Sequence, residues 1–155
     1  MPDLVAGCAA APAALVVLDT NVVLDLWLFA DPRVAPLRRA LRGGQLMPLV
    51  TAPMLAELAD VLRRPFAAAR SVPPAQVLAM LEATARLVEP PPVTGRPAPR
   101  CTDADDQKFV ALAWYWPARW LISRDRAVLK LARPGLAHGL GIVTPERWAA
   151  LAVSS

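Results

Sequence analysis

The sequence is poor in histidine and cysteine, and that poverty excludes several chemistries. His138, in a glycine-rich stretch, is the one histidine. A zinc-protease helix or a histidine-pair ribonuclease mechanism needs a second, and a Ser-His-Asp triad would hang on this residue alone. His138 is therefore expected to be structural or solvated. The two cysteines, Cys8 and Cys101, form no zinc knuckle and read as two free thiols, silent about the redox compartment. No run of 18 or more apolar residues exists. The longest candidate, 8–18, is alanine-rich and ends at Asp19, so no transmembrane helix is expected. A basic leader is lacking too, Asp3 being the one charge before Asp19, so the chain reads as cytoplasmic, with no secretory signal and no membrane partner.

What is present is an apolar fraction of 55% against 19% charged residues in 155 positions, enough apolar surface to offset the entropy of ordering one domain. A single domain over 1–155 is expected, with 1–13 a poorly structured N-terminal extension. Alanine raises the mean hydropathy without large side chains, and there are 17 prolines. The net charge of +4 favours polyanions such as RNA. Arginine-rich chains are often basic without such a partner, so this charge gains meaning only if acids cluster within it.

Along the chain, short apolar runs alternate with helical periodicity. Residues 15–18 form a continuous apolar run that stops at Asp19-Thr20-Asn21, as a strand buried on both faces does. A helix over 22–28 follows, then one that Asp31-Pro32 starts and Gly43-Gly44 stops near Arg42. Strands are expected at 46–50 despite Pro48, at 87–88, at 120–122 and at 142–143. Between them lie a helix capped by Thr51 and closed by Pro65, one starting at 71–74, one opening at 103–106, one from Ala127 that breaks at Pro134-Gly135, and a last one over 145–153. Residues 90–99 read as an extended proline-rich loop. Strands alternating with helices argue for an α/β fold, a sandwich with a mainly parallel sheet.

Two of these strands run into an acid, at Leu18-Asp19 and at Ile122-Ser123-Arg124-Asp125, and two helices carry one near their start, Glu57 and Asp106. Strand carboxyl ends and the following helix starts share one edge of a parallel sheet, so the four acids can converge there. Crowded carboxylates repel and raise one another's pKa, a cost that a hard cation such as Mg²⁺ or Mn²⁺ removes. Each acid also has a plainer role open to it: Asp19 as a helix cap, Glu57 as a solvated helix charge, Asp106 as a complement to a helix dipole, Asp125 as a turn residue.

The segments Val16-Val17-Leu18-Asp19-Thr20-Asn21, Ala52-Pro53-Met54-Leu55-Ala56-Glu57-Leu58, Cys101-Thr102-Asp103-Ala104-Asp105-Asp106-Gln107-Lys108-Phe109 and Leu121-Ile122-Ser123-Arg124-Asp125 resemble, in order and separation, those of the PIN-domain ribonucleases. The likeness is strongest to the bacterial branch of toxins from toxin-antitoxin pairs (VapC-like). It implies a three-layer α/β/α sandwich and cleavage of RNA phosphodiesters by an endoribonuclease dependent on Mg²⁺ or Mn²⁺. Asp19, Glu57, Asp106 and Asp125 match the acidic quartet that holds the metal, with Asn21 and Ser123 as the polar residues that orient it. Asp106 is preferred to Asp103 because Phe109, Val110 and Ala113 follow it in the family's manner, with Asp103 in reserve.

The partners so implied are an RNA substrate, a small antitoxin protein and a second copy in a homodimer. A protein-binding module on the same fold, or a housekeeping RNA-processing nuclease without an antitoxin, is the alternative. Lys108, Arg124, Arg126 and Lys130 lie near the acids in sequence and as a set suit phosphate, although each alone reads as solvated surface. Trp114, Tyr115, Trp116 and Trp120 read as core rather than base-stacking residues.

Overall fold

Five short apolar segments become the strands of one parallel sheet. In the computed structural model, which describes residues 12–154, these are β1 (Ala14–Leu18), β2 (Leu46–Val50), β3 (Arg86–Leu87), β4 (Trp120–Ile122) and β5 (Gly141–Val143), in the spatial order β3-β2-β1-β4-β5. Each neighbouring pair is parallel. Val16, Val17, Leu121 and Ile122 are fully buried, because helices cover the central strands on both faces, and this is why the runs are apolar without alternation. Cys8, and the extension expected over 1–13 except for Pro12 and Ala13, lie outside the described residues.

The chain winds outward from β1 to β2 and β3, then returns to the other side of β1 for β4 and β5. The switch in direction between β1 and β4 splays the flanking helices apart and opens a crevice beyond the strand carboxyl ends. The helices are α1 (Thr20–Trp27), α2 (Ala35–Arg42), α3 (Ala52–Leu62), α4 (Pro65–Ala68), α5 (Pro74–Thr84), α6 (Gln107–Tyr115), α7 (Arg126–Leu129), α8 (Ala132–Ala137) and α9 (Pro145–Ser154). The whole is a three-layer α/β/α sandwich. Among the described residues no helix is long and apolar enough to cross a membrane.

Three local expectations need correction. The helix foreseen from Asp31 begins as a 3₁₀ turn, Pro32–Val34, before α2, with Asp31 accepting the Arg33 N–H at 2.9 Å. Thr51 occupies the N-cap position of α3, but its side chain makes no capping hydrogen bond. The break foreseen at Pro134-Gly135 lies instead between α7 and α8, and Pro134 sits in the first turn of α8, where its missing N–H would have had no intrahelical acceptor. Gly135 is required there by packing: a Cβ would stand 2.8 Å from Ile142 Cδ1 and 2.9 Å from the Leu140 carbonyl oxygen.

The aromatic residues around α6 do pack. Trp114 is buried, stacks on His138 with ring centroids 3.6 Å apart, and donates its indole N–H to the Arg96 carbonyl at 2.8 Å. The Tyr115 hydroxyl accepts the Ala98 N–H at 2.9 Å. Together they hold the proline-rich connection against the domain, which leaves His138 a structural role.

Candidate metal centre

Leu18 and Ile122 are register partners in β1 and β4, so the next residue of each strand meets the other at the sheet edge. These are Asp19 and Ser123. The Ser123 hydroxyl donates to Asp19 Oδ2, and the Val22 N–H donates to Asp19 Oδ1 at 3.0 Å, which makes Asp19 the N-cap of α1. Both residues are buried. Burial raises the Asp19 pKa, the hydrogen bonds from Ser123 and Val22 oppose that shift, and the charge of Asp125 adds to it. Ser123 Oγ also accepts the Asp125 N–H at 3.0 Å, which ties the two acids together through one hydroxyl. Asp125 in turn caps α7 by accepting the Ala127 N–H at 2.8 Å.

Facing Asp125 is the 3₁₀ turn Ala104–Asp106, which Asp103 caps by accepting the Asp105 N–H at 3.0 Å. Asp103, Asp106 and Asp125 each place an oxygen within 4.8 Å of the other two. Asp106 stands at the N-cap of α6 but makes no capping bond, and its Oδ2 is buried without a partner. A hydrogen bond to Asp125 forms only when one of the two carboxyls holds a proton; with both ionised, acceptor faces acceptor. Burial first, then Asp125, then the charges of Asp103 and Asp19 push Asp106 up to about 7.

Glu57 reaches the same region from α3, where it accepts hydrogen bonds from the Lys108 ammonium and the Thr20 hydroxyl. Lys108 also donates to the Asp105 carbonyl. Asp19, Asn21, Glu57, Asp103, Asp106 and Asp125 all line one cleft of about 330 Å³. Asn21 is exposed in its wall, while Ser123 lies beneath it. Of the acids singled out in the sequence, Asp106 and Asp125 draw together with the reserve residue Asp103; Asp19 is held by Ser123, and Glu57 by Lys108 and Thr20. A larger groove of about 1040 Å³ is lined by the first residues of β2, β4 and β5, so concavity alone does not single out the acidic edge.

The donor set suits a hard divalent cation. Three carboxylates with oxygens this close together offer the all-oxygen, negatively charged donor set that Mg²⁺ or Mn²⁺ takes. The partnerless Asp106 oxygen is the acceptor such an ion would satisfy.

The basic residues divide. Arg124 is not a free phosphate contact: Nε donates to Asp25 on α1 at 2.8 Å, and its two terminal nitrogens grip Glu146 on α9 at 2.8 and 2.6 Å. These acids raise its pKa further and fix the loop that carries Ser123 and Asp125. Lys108 is committed to Glu57, whereas Arg126 and Lys130 are exposed. Neither Asp25 nor Glu146 carried a sequence signal, since their shared partner is about a hundred residues from one and twenty from the other. Arg124→Ala is expected to cost about 2 kcal/mol in urea unfolding, because two charge-assisted contacts are lost. Arg124→Lys should recover little of it, since an ammonium cannot bridge both acids in the fork geometry.

A family model described as a PIN domain matches residues 15–127. No curated protein matches the chain. PIN domains are generally nucleases that use divalent metals, and the matched span runs from β1 through Asp125 and includes every acid of the cleft. By that match, which covers well over half of its length, the chain belongs to the PIN-domain family.

Proposed function

We propose that the protein is an endoribonuclease, dependent on Mg²⁺ or Mn²⁺, that hydrolyses RNA phosphodiesters. The observation that carries this reading is Asp106. Asp19, Asp103 and Asp125 each accept a backbone N–H at the start of a helix or turn, so a binding module whose acids serve as caps would account for those three. It does not account for Asp106, which caps nothing, leaves a buried oxygen partnerless and faces two further carboxylates. Such an arrangement is costly without a cation.

Asp103, Asp106 and Asp125 would hold the ion, and Asp19, pinned by Ser123, would add negative charge behind them. The ion would supply activation of water and neutralisation of charge developing on the phosphoryl oxygens, so no histidine base is needed. Ser123 sets the relative position of Asp19 and Asp125 through its two hydrogen bonds. Ser123→Ala should therefore slow single-turnover cleavage by about tenfold, as loss of an orienting group does, and less than loss of Asp125 itself.

The role we infer is that of the toxin in a toxin-antitoxin pair, acting in the cytoplasm as a homodimer and silenced by a small antitoxin that covers the cleft. The resemblance to the toxin branch supports it, as does the net charge of +4, which suits an RNA substrate. An adjacent short reading frame for a DNA-binding protein would support the pairing; without one, a housekeeping nuclease is the better reading. The biochemical test is cleavage of total RNA with Mg²⁺ or Mn²⁺ and with EDTA. Cleavage that persists in EDTA, or is absent in all three, sinks the proposal. Sequencing of RNA ends from cells expressing the protein, beside an Asp19→Asn control, then names the target.

A further inference from the structure

The wall of the acidic cleft carries two side chains that the chemistry above does not use. Leu62 ends α3 and Pro65 starts the short helix α4, which puts Arg64 in the turn between them and Phe66 in the first turn of α4. Arg64 and Phe66 both line the cleft there, beside the carboxylates. Phe66 is 42% exposed. Its ring lies 6.2 Å from that of Phe29, tilted by 33°, and the Arg70 guanidinium covers the Phe29 ring at 4.5 Å. Phe29 thus backs the Phe66 ring on one side and leaves much of its surface to solvent. Arg64 reaches Asp60 only at 3.9 Å, with three-fifths of its side chain exposed, so its guanidinium is loosely held.

A lone exposed phenylalanine is common and by itself means little. This one lines a cleft whose wall holds six carboxylates, where a polyanion can approach only with local help from cations and from contacts that do not depend on charge. An arginine and an aromatic ring two residues apart supply both: the guanidinium suits a phosphate and the ring suits a nucleobase. We propose that Arg64 and Phe66 form a nucleotide subsite, Phe66 stacking on an unpaired base and Arg64 taking an adjacent phosphate. The ring sets what the subsite can hold. A base inside an A-form helix is stacked on both faces and offers none to a side chain, whereas an unpaired base does. This inference rests on the ribonuclease reading for its biological meaning but is tested separately from it.

The test is equilibrium binding, in Ca²⁺ in place of Mg²⁺, of a single-stranded RNA of about ten nucleotides with 2-aminopurine at alternate positions, followed by anisotropy and by quenching of the 2-aminopurine. Phe66→Ala and Phe66→Leu should each weaken binding by roughly ten- to hundredfold and abolish the quench, the range expected for loss of one stacked base. Phe66→Trp should restore both, which a merely structural role for residue 66 would not produce. Arg64→Gln should weaken binding and flatten the plot of log K against log salt by about 0.7, the loss of one single-strand phosphate contact. The same RNA annealed to its complement should bind at least about tenfold more weakly.

Equal binding by wild type and Phe66→Leu, or equal affinity for the single strand and the duplex, overturns the subsite. If wild type cleaves RNA in Mg²⁺ or Mn²⁺ while binding is indifferent to the ring, the subsite falls and the nuclease stands. If binding depends on the ring but no cleavage occurs with either metal, the nuclease falls and the subsite stands.

Discussion

RNA cleavage is expected to fall by at least about a hundredfold when Asp19 or Asp125 is replaced by asparagine, since each change removes a full charge from the field that would hold the proposed cation. The two substitutions act differently. Asp125 contributes an oxygen to the trio, so Asp125→Asn removes one of the charges that would hold the ion, yet asparagine still caps α7 and the helix start survives. Asp19 lies outside the trio and acts through its charge and through Ser123; Asp19→Asn keeps an acceptor for the Val22 N–H but alters the partner of the Ser123 hydroxyl. Single-turnover cleavage with saturating Mg²⁺, beside a melting curve of each variant, separates lost chemistry from lost fold. Wild-type rates in both variants would remove the assignment of the acidic edge as the active site.

The second large effect is a reversal of stability. In EDTA, Asp106→Asn should melt at least as high as wild type at neutral pH, because it deletes one of three mutually repelling carboxylates and the burial of a partnerless charge. In millimolar Mg²⁺ the order should invert, because the cation stabilises whichever native state binds it more tightly. The pH dependence has a definite sign. Asp106 is raised from 3.8 to about 7, so the native state binds this proton more tightly than the unfolded chain. The stabilisation this confers is complete below about 3.8 and is lost as pH rises towards about 7.

In EDTA the advantage of Asp106→Asn over wild type should therefore grow across that window and level off above it. Melting curves at several pH values, in EDTA, Mg²⁺ and a Ca²⁺ control, give the result. A wild type that gains no more from Mg²⁺ than the variant does would mean that Asp106 is not a ligand, and the same series on Asp103→Asn would show whether its neighbour is.

Much of the fold was legible because the information was local. Runs such as Val16-Val17-Leu18 are apolar without alternation since helices cover both faces of the sheet, and they end where the chain leaves the core. Asp19 and Asp125 stand at those ends, and a parallel sheet brings all such ends to one edge, so their convergence could be foreseen from order alone. The choice between Asp103 and Asp106 could not. Both fall in one turn, and only the docking of that turn against the β4–α7 loop shows that each reaches Asp125.

Partner choice was likewise invisible. The sequence made Lys108 and Arg124 alike, as cations near acids; in the fold Lys108 reaches across from α6 to Glu57 on α3, and the placement of α1 and α9 gives Arg124 to Asp25 and Glu146. Arg64 and Phe66 gave no signal either, because a charged and an aromatic residue around a proline have no periodicity that marks a cleft wall. Sequence alone determined the elements, the edge of the sheet that carries the acids and the kind of ion they suit, because these follow from side-chain chemistry and periods of a few residues. The tertiary structure decided which acids share an ion's span and which cations are already spent, because both depend on contacts between elements tens of residues apart, and packing fixes those only when the whole sheet has formed.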